Sequence, residues 1–174
     1  MGDTTGPKVG PKPEIRNKAK PTFVGGEAKP TFVGLGPKAA SQDEVAKRIA
    51  DAIGGDQVAI EIPDGTSILV DAAALAGHID LARAPWVPML PELLAQPAEI
   101  WAMFMRHKGT GRVVLRKRLV KVVQAKPGLA GKADGLMLVA DAGGGFFHGW
   151  SFLPMDRPGY INRQRVGRLL WRRS

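Results

Sequence analysis

The stretch Arg83–Val123, RAPWVPMLPELLAQPAEIWAMFMRHKGTGRVVLRKRLVKVV, carries the fold decision for this chain. Trp86 and Trp101 stand fifteen positions apart and each brings a large apolar area to a core. Pro85, Pro88, Pro91 and Pro97 punctuate the path between them, since proline suits a helix's first turn and stops whatever precedes it. The spacing predicts a short helix over Pro91–Ala95. It predicts a second helix from Pro97, with Ile100, Trp101 and Phe104 on one side. Gly109-Thr110-Gly111 breaks the chain, and the β-branched content of Arg112–Val123 predicts a long strand.

Working upstream, Ser41-Gln-Asp-Glu44 has the form of a capping box, and Val45, Ile49 and Ile53 follow at helical spacing up to Gly54-Gly55. Folded structure is therefore expected to begin at Ser41. Val58, Ile60 and Ile62 alternate as in a half-buried strand, Pro63-Asp64-Gly65 is a turn, and Thr66–Val70 returns as its hairpin partner. Asp71 reads as the N-cap of a short helix, Ala72–Ala76, ended by Gly77 just before His78. Downstream, Ala125–Gly135 reads as a loop. Its glycine spacing, and Ala133 where a hydroxyl residue is needed, do not match a phosphate-binding loop. Leu136–Ala140 is a strand, Asp141–Gly145 a turn and Phe146–Leu153 a further strand. Strict alternation there places Phe146, His148, Trp150 and Phe152 on one core-facing side and Ser151 on the other. Tyr160–Trp171 ends the domain as strand or helix, with Val166, Leu169, Leu170 and Trp171 packing down. Helices early and hairpin-linked strands late make an α+β fold on an antiparallel sheet, over residues 43–174.

Residues 1–42 read instead as a disordered, Pro/Gly/Lys-rich basic tail, too poor in apolar side chains to offset the entropy of ordering. The tail repeats AKPTFVG at 19–25 and 28–34, as a duplicated linker or as a pair of docking motifs anchored on Phe23 and Phe32. The chain has no cysteine, which excludes disulfides, thiolate metal sites and cysteine nucleophiles. His78, His107 and His148 show no metal-ligand spacing, so no metal and no cofactor are expected. No apolar run approaches the ~18 residues of a membrane span, and no secretory signal follows Met1. The expected location is a host cytoplasm or a virion, without membrane contact.

Charge is segregated. Residues 43–105 hold ten acids and three bases, residues 106–132 nine bases and no acid, and residues 157–174 six arginines and no acid. Such a basic region suits RNA or another nucleic acid, the alternative being a solvated basic face.

The order of landmarks resembles the C-terminal domain of Mu F-like phage head morphogenesis proteins, a phage branch of the barnase–EndoU–colicin–RelE-like nucleases. The resemblance rests on His78-Ile79, Arg83, Pro88–Trp101 (PMLPELLAQPAEIW), the basic strand Val113–Val123, Leu136–Ala140, Trp150-Ser151-Phe152, and Tyr160–Trp171. It implies helices on a curled antiparallel sheet and metal-independent cleavage of RNA. It also implies toxin-like action on host RNA, with phage head or portal proteins or an immunity protein as partners. The Pro/Gly/Lys tail stands where the head-assembly region of such proteins normally lies.

Cleavage by the substrate's own 2′-OH needs an acid/base and cations for the charge that builds on phosphorus. The candidates are His78, Arg83, Arg116, Arg118, Ser151 and Arg165. His78, Arg83, Ser151 and Arg165 are placed as the family resemblance implies. Arg116 and Arg118, two apart on one strand, share a face with Val114 and Val120 while Lys117 points oppositely, and could grip adjacent phosphate oxygens or form the charged outer face of an edge strand. His107 reads as the exposed end of a basic helix and His148 as a satisfied core histidine. A barnase-type glutamate is not identifiable. The alternative function is a non-catalytic nucleic-acid-binding or virion-associated module.

Overall fold

The computed structural model describes residues 5–8, 31–33, 35–125, 135–155 and 159–173. Two short strands come first, β1 (Thr5–Lys8) and β2 (Thr31–Val33). Helix α1 (Gln42–Ile53) precedes the hairpin β3 (Gln57–Glu61) and β4 (Ser67–Asp71), and α2 (Ala72–Ala76) follows at once. A 3-10 helix, Leu81–Met89, runs into α3 (Leu90–Ala95). Then come β5 (Glu99–His107), β6 (Val113–Ala125), β7 (Gly135–Gly143), β8 (Phe146–Met155), α4 (Tyr160–Gln164) and β9 (Arg168–Arg172). The architecture is α+β, as the sequence predicts.

The sheet runs β3-β4-β8-β7-β6-β5, antiparallel except where β4 lies parallel to β8. β9 and β1 share the outer edge of β5, while β2 lies parallel to β6 at Val123–Ala125. β6 is thus an interior strand. Helices cover one face of the sheet: Val45 and Ile49 of α1, Leu75 of α2, Trp86, Val87 and Leu93 pack on Ile68, Val70, Ile100, Leu119, Leu138 and Phe152. Each such aliphatic or aromatic side chain contributes about 1.5–3 kcal/mol on burial. A second cluster, Val120, Met137, Val139, Leu153 and Met155, lies on the other side with Trp150, Tyr160 and Ile161 against it.

Local chemistry explains the helix ends. Ser41 Oγ accepts the Glu44 N–H at 3.2 Å, Asp71 caps α2 by accepting from Ala74 N–H at 3.0 Å, and Gly54 closes α1 at φ 91°. Ordered packing begins upstream of Ser41, however. Leu35 and Ala39 sit against the core, Gly36 N–H donates to Pro85 O at 2.8 Å, and Arg48 reaches back to the carbonyls of Pro37 and Lys38. Within the rest of the expected disordered tail, Thr5–Lys8 and Thr31–Val33 are the strands β1 and β2 paired to β5 and β6. Residues 1–4, 9–30 and 34 lie outside the described residues, as does most of the expected 125–135 loop.

Several expectations fail. The helix from Pro97 is strand β5, a strand flanked on both sides: β6 pairs along one edge, β9 and β1 along the other. Glu99–Met103 are buried without alternation, so the period of two that marks a half-exposed strand is erased. His107 accordingly ends a strand, not a helix. The shared aromatic face of β8 also fails. Val139 opposes Ser151 and Ala140 opposes Gly149, so a bulge at Trp150 resets the alternation. Phe152 enters the helix-side core, Trp150 joins the second cluster, Phe146 is exposed, and His148 is exposed with Nε2 at 2.8 Å from Gly143 O. Strand β7 also extends to Gly143, leaving the turn to Gly144 and Gly145.

On the helix side of β6, Lys117 is 3% exposed and reaches the β3–β4 turn, where its ammonium donates to Asp64 Oδ2 at 2.6 Å and Thr66 Oγ1 at 2.8 Å. The Phe147 ring lies 4.0 Å from that ammonium. Burial alone would raise the Asp64 pKa, but hydrogen bonds from Lys117 and Thr66 outweigh it and hold the carboxyl below its ordinary 3.8. A depressed carboxyl contributes stability that is complete above its unfolded-state pKa and lost as pH falls through the folded value. Asp64→Asn is therefore expected to flatten the acid limb below about pH 4 in urea unfolding series. An acid limb identical to that of the unmodified protein would show that Asp64 is not a source of it.

Candidate active site

The face of the sheet turned away from the helices gathers most of the residues the sequence singles out. Because directly paired residues point to the same side, register gives three rows across the strands. Glu99, Val120, Met137 and Leu153 form one; Trp101, Arg118, Val139 and Ser151 the next; Met103, Arg116, Asp141 and His148 the third. Arg116, Arg118 and Ser151 thus occupy adjacent rows. The bulge puts Ser151 on the side of Trp150 and not opposite it.

Both arginines are buried, each 5% exposed, so the picture of a charged outer face on an edge strand is corrected. Arg116 is held bidentately: Nε donates to Asp141 Oδ1 at 2.7 Å and Nη2 to Asp141 Oδ2 at 2.9 Å. Its guanidinium carbon lies 5.0 Å from the Trp150 ring centroid. Such a fork is fixed in plane and direction, and Nη1 makes no hydrogen bond to the described residues.

His78 approaches the same indole. Its ring meets Trp150 edge-on, centroids 5.6 Å apart and planes at 78°. The backbone around it is tied down: His78 N–H donates to Leu75 O at 3.0 Å and Ile79 N–H to Ala76 O at 3.1 Å. Gln42 Nε2, from α1, donates to the carbonyls of Ala76 and Ile79 on either side of His78. The buried Ile79 side chain completes the anchor, and the imidazole itself is exposed. The result is a continuous line: His78, Trp150, Arg116, Asp141.

Arg165 sits deeper, 2% exposed, with Nε donating to Glu99 Oε1 at 2.7 Å and Nη1 to Asn162 Oδ1 at 2.6 Å. Glu99, 1% exposed, also accepts the Trp101 indole N–H at 3.0 Å. This pair joins the segment between α4 and β9 to β5. Gly167 lies in that segment at φ +90°, where a Cβ would come 2.1 Å from Ala102 O, so only glycine allows the close approach. Arg83 is half-buried on the 3-10 helix with its N–H on Asp80 O at 2.8 Å. Among the described residues no hydrogen bond or ion pair joins its side chain to the other candidates.

Trp150, Asp141, Gln42 and Glu99 are partners that sequence reading does not assign. The basic region also divides. Arg116, Lys117, Lys121 and Arg165 are buried against Asp141, Asp64, Glu92 and Glu99. Exposed positive charge lies elsewhere, on Arg106, Lys108, Arg112, Arg163, Arg168, Arg172 and Arg173. Among the described residues no group of three His, Asp or Glu is arranged to hold a metal ion.

Residues 44–172 match the model of a protein family described as PBECR2, phage-Barnase-EndoU-ColicinE5/D-RelE like nuclease2. No curated protein and no solved structure matches the chain.

Proposed function

The chain belongs to the phage-Barnase-EndoU-ColicinE5/D-RelE like nuclease2 family, and on that premise we propose that it is a metal-independent endoribonuclease acting from the His78–Trp150–Arg116 line. The observation that carries this reading is the juxtaposition of an exposed imidazole with an oriented guanidinium across one indole.

In the reaction, the 2′-oxygen of RNA forms a bond to the adjacent phosphorus and the bond from phosphorus to the 5′-oxygen breaks. The 2′ proton goes to a base, and the departing 5′-oxygen takes a proton from solvent water. No water or metal-bound hydroxide is needed as nucleophile. His78 is assigned the proton transfer at the 2′-oxygen, imidazole being the side chain whose chemistry suits this near neutral pH. Arg116, aimed by Asp141, places its remaining donors toward a phosphate oxygen and stabilises the phosphorane charge. Arg118 and Ser151, in the neighbouring row, line the same phosphate position. Arg165 is assigned a positioning role through Glu99 and β5, and Arg83, on the 3-10 helix, is assigned only a contribution of positive potential. Host RNA is the proposed target, with an immunity protein or phage head proteins as partners.

The test is incubation of the full chain with single-stranded RNA in excess EDTA, followed by analysis of the new termini. Cleavage that survives EDTA and leaves 2′,3′-cyclic phosphate is the expected result. Ends bearing 5′-phosphate, or activity abolished by EDTA, would overturn the mechanism. Burial of Arg116 and Arg118 lends weight to a second reading, a nucleic-acid-binding or virion-associated head morphogenesis module. Tight RNA binding with no cleavage under any condition selects that one.

A further inference from the structure

The hairpin between β5 and β6 ends in a surface that the site above does not use. Arg106, His107, Lys108 and Arg112 are all exposed there, and no Asp or Glu occurs from Ile100 to Ala133. None of the four forms an ion pair among the described residues. Beside them stand the two most exposed large apolar side chains of the described residues, Phe104 at 54% and Val113 at 48%. Register sets Arg106 opposite Val113 and Phe104 opposite Leu115, so Phe104, Arg106 and Val113 share one face. The turn is built to hold a shape. His107 N–H donates to Arg112 O at 2.7 Å, Gly111 N–H to His107 O at 2.8 Å, and Arg106 Nη1 to Gly111 O at 3.2 Å.

An exposed aromatic ring interleaved with cations free of acids is what a single nucleic-acid strand requires: a platform for a base and donors for the backbone. The patch lies on the helix-side face, opposite Arg116 and Arg118, and Arg112 is four residues from Arg116, about 13 Å along a strand. RNA touching both must cross the hairpin end, where Lys108 and Arg112 stand. A flexible single strand can make that turn and a stiff duplex cannot.

We propose that the Phe104–Arg112 hairpin end is a second RNA-binding surface, stacking a base of single-stranded RNA on Phe104 and carrying the strand over the sheet end into the cleavage site. This rests on the ribonuclease reading for its second half only. Binding is measured with a 2′-O-methyl RNA of about 20 nucleotides, which lacks the nucleophile, and with its duplex. Phe104→Ala is expected to weaken single-strand binding about tenfold, and Phe104→Trp to restore it. The combined Arg106→Ala, Lys108→Ala, Arg112→Ala variant should lower the salt slope by about two, three contacts at ~0.7 each. With cleavable RNA, the ratio of kcat/KM for the long strand to that for a dinucleotide should fall about tenfold in either variant. Unmoved affinity and ratio, or a duplex bound as tightly as the single strand, overturns the proposal. If RNA is never cut yet Phe104→Ala still weakens binding, the ribonuclease reading fails and the surface stands.

Discussion

Glu99→Ala is expected to lower the unfolding free energy by about 3–5 kcal/mol, the scale seen when one partner of a buried ion pair is removed. Glu99 is 1% exposed and its Oε1 accepts from both the Arg165 guanidinium and the Trp101 indole. Alanine leaves the buried guanidinium without that carboxylate and the indole N–H without its acceptor, and each loss carries a desolvation cost. Glu99→Gln keeps an acceptor oxygen in place while removing the charge, so a smaller loss is expected. Urea unfolding monitored by tryptophan fluorescence measures both. Hydrogen exchange adds a local readout: amides of β9, paired with β5 beside Glu99, should lose protection before those of β7 and β8. A loss under about 1 kcal/mol for the alanine variant would show that the pair holds little of the fold together.

That buried pair also marks the limit of what the chain discloses on its own. Helix α1, the β3–β4 hairpin and α2 were legible because their signals are local: a serine cap with Glu44 three residues on, alternation at Val58 and Ile60, and Asp71 before three alanines. The strand β5 was not. Pro97 and Glu99 imitate a helix start, and burial on both faces removes the alternation that would have argued against it. The Trp150 bulge leaves no sequence mark, since one extra residue in a strand of large side chains looks like ordinary alternation.

The site was half legible for the same reason. Arg116 and Arg118 could be placed on one face from spacing alone, and the register agrees. Their environment could not. The carboxylate that orients Arg116 lies 25 residues away, and the one that neutralises Lys117 lies 53 residues away. A run of Arg-Lys-Arg therefore reads as exposed charge until long-range pairing shows it turned inward. His78 and Trp150 meet only because α2 ends beside β8, a contact fixed by the parallel β4–β8 pairing. Glu99 carried one available signal: an acid between Ala98 and Ile100, in an otherwise apolar run, needs a partner.

The largest functional effect is expected at His78. Changing it to alanine should reduce RNA cleavage by at least about a hundredfold, the scale of a lost general acid or base, with RNA affinity close to that of the unmodified protein. The affinity should hold because the imidazole is an exposed side chain at the end of α2, whereas exposed positive charge lies on the β5–β6 turn and along β9. The fold should hold too, since Gln42 bonds to the carbonyls of Ala76 and Ile79, not to the imidazole. Arg116→Ala should behave differently. It removes the guanidinium proposed to face the phosphate and strands Asp141 without its bidentate partner, so turnover and affinity should fall together. Measuring kcat and KM separately for both variants distinguishes the two roles. Cleavage undiminished in the His78 variant would move the proton transfer elsewhere. His148 is the next histidine to test, because it lies in the Arg116 row and its ring is held by Gly143 O. Loss of affinity equal to the loss of turnover at His78 would instead make it a binding residue, and the line His78, Trp150, Arg116 a grip for RNA without chemistry.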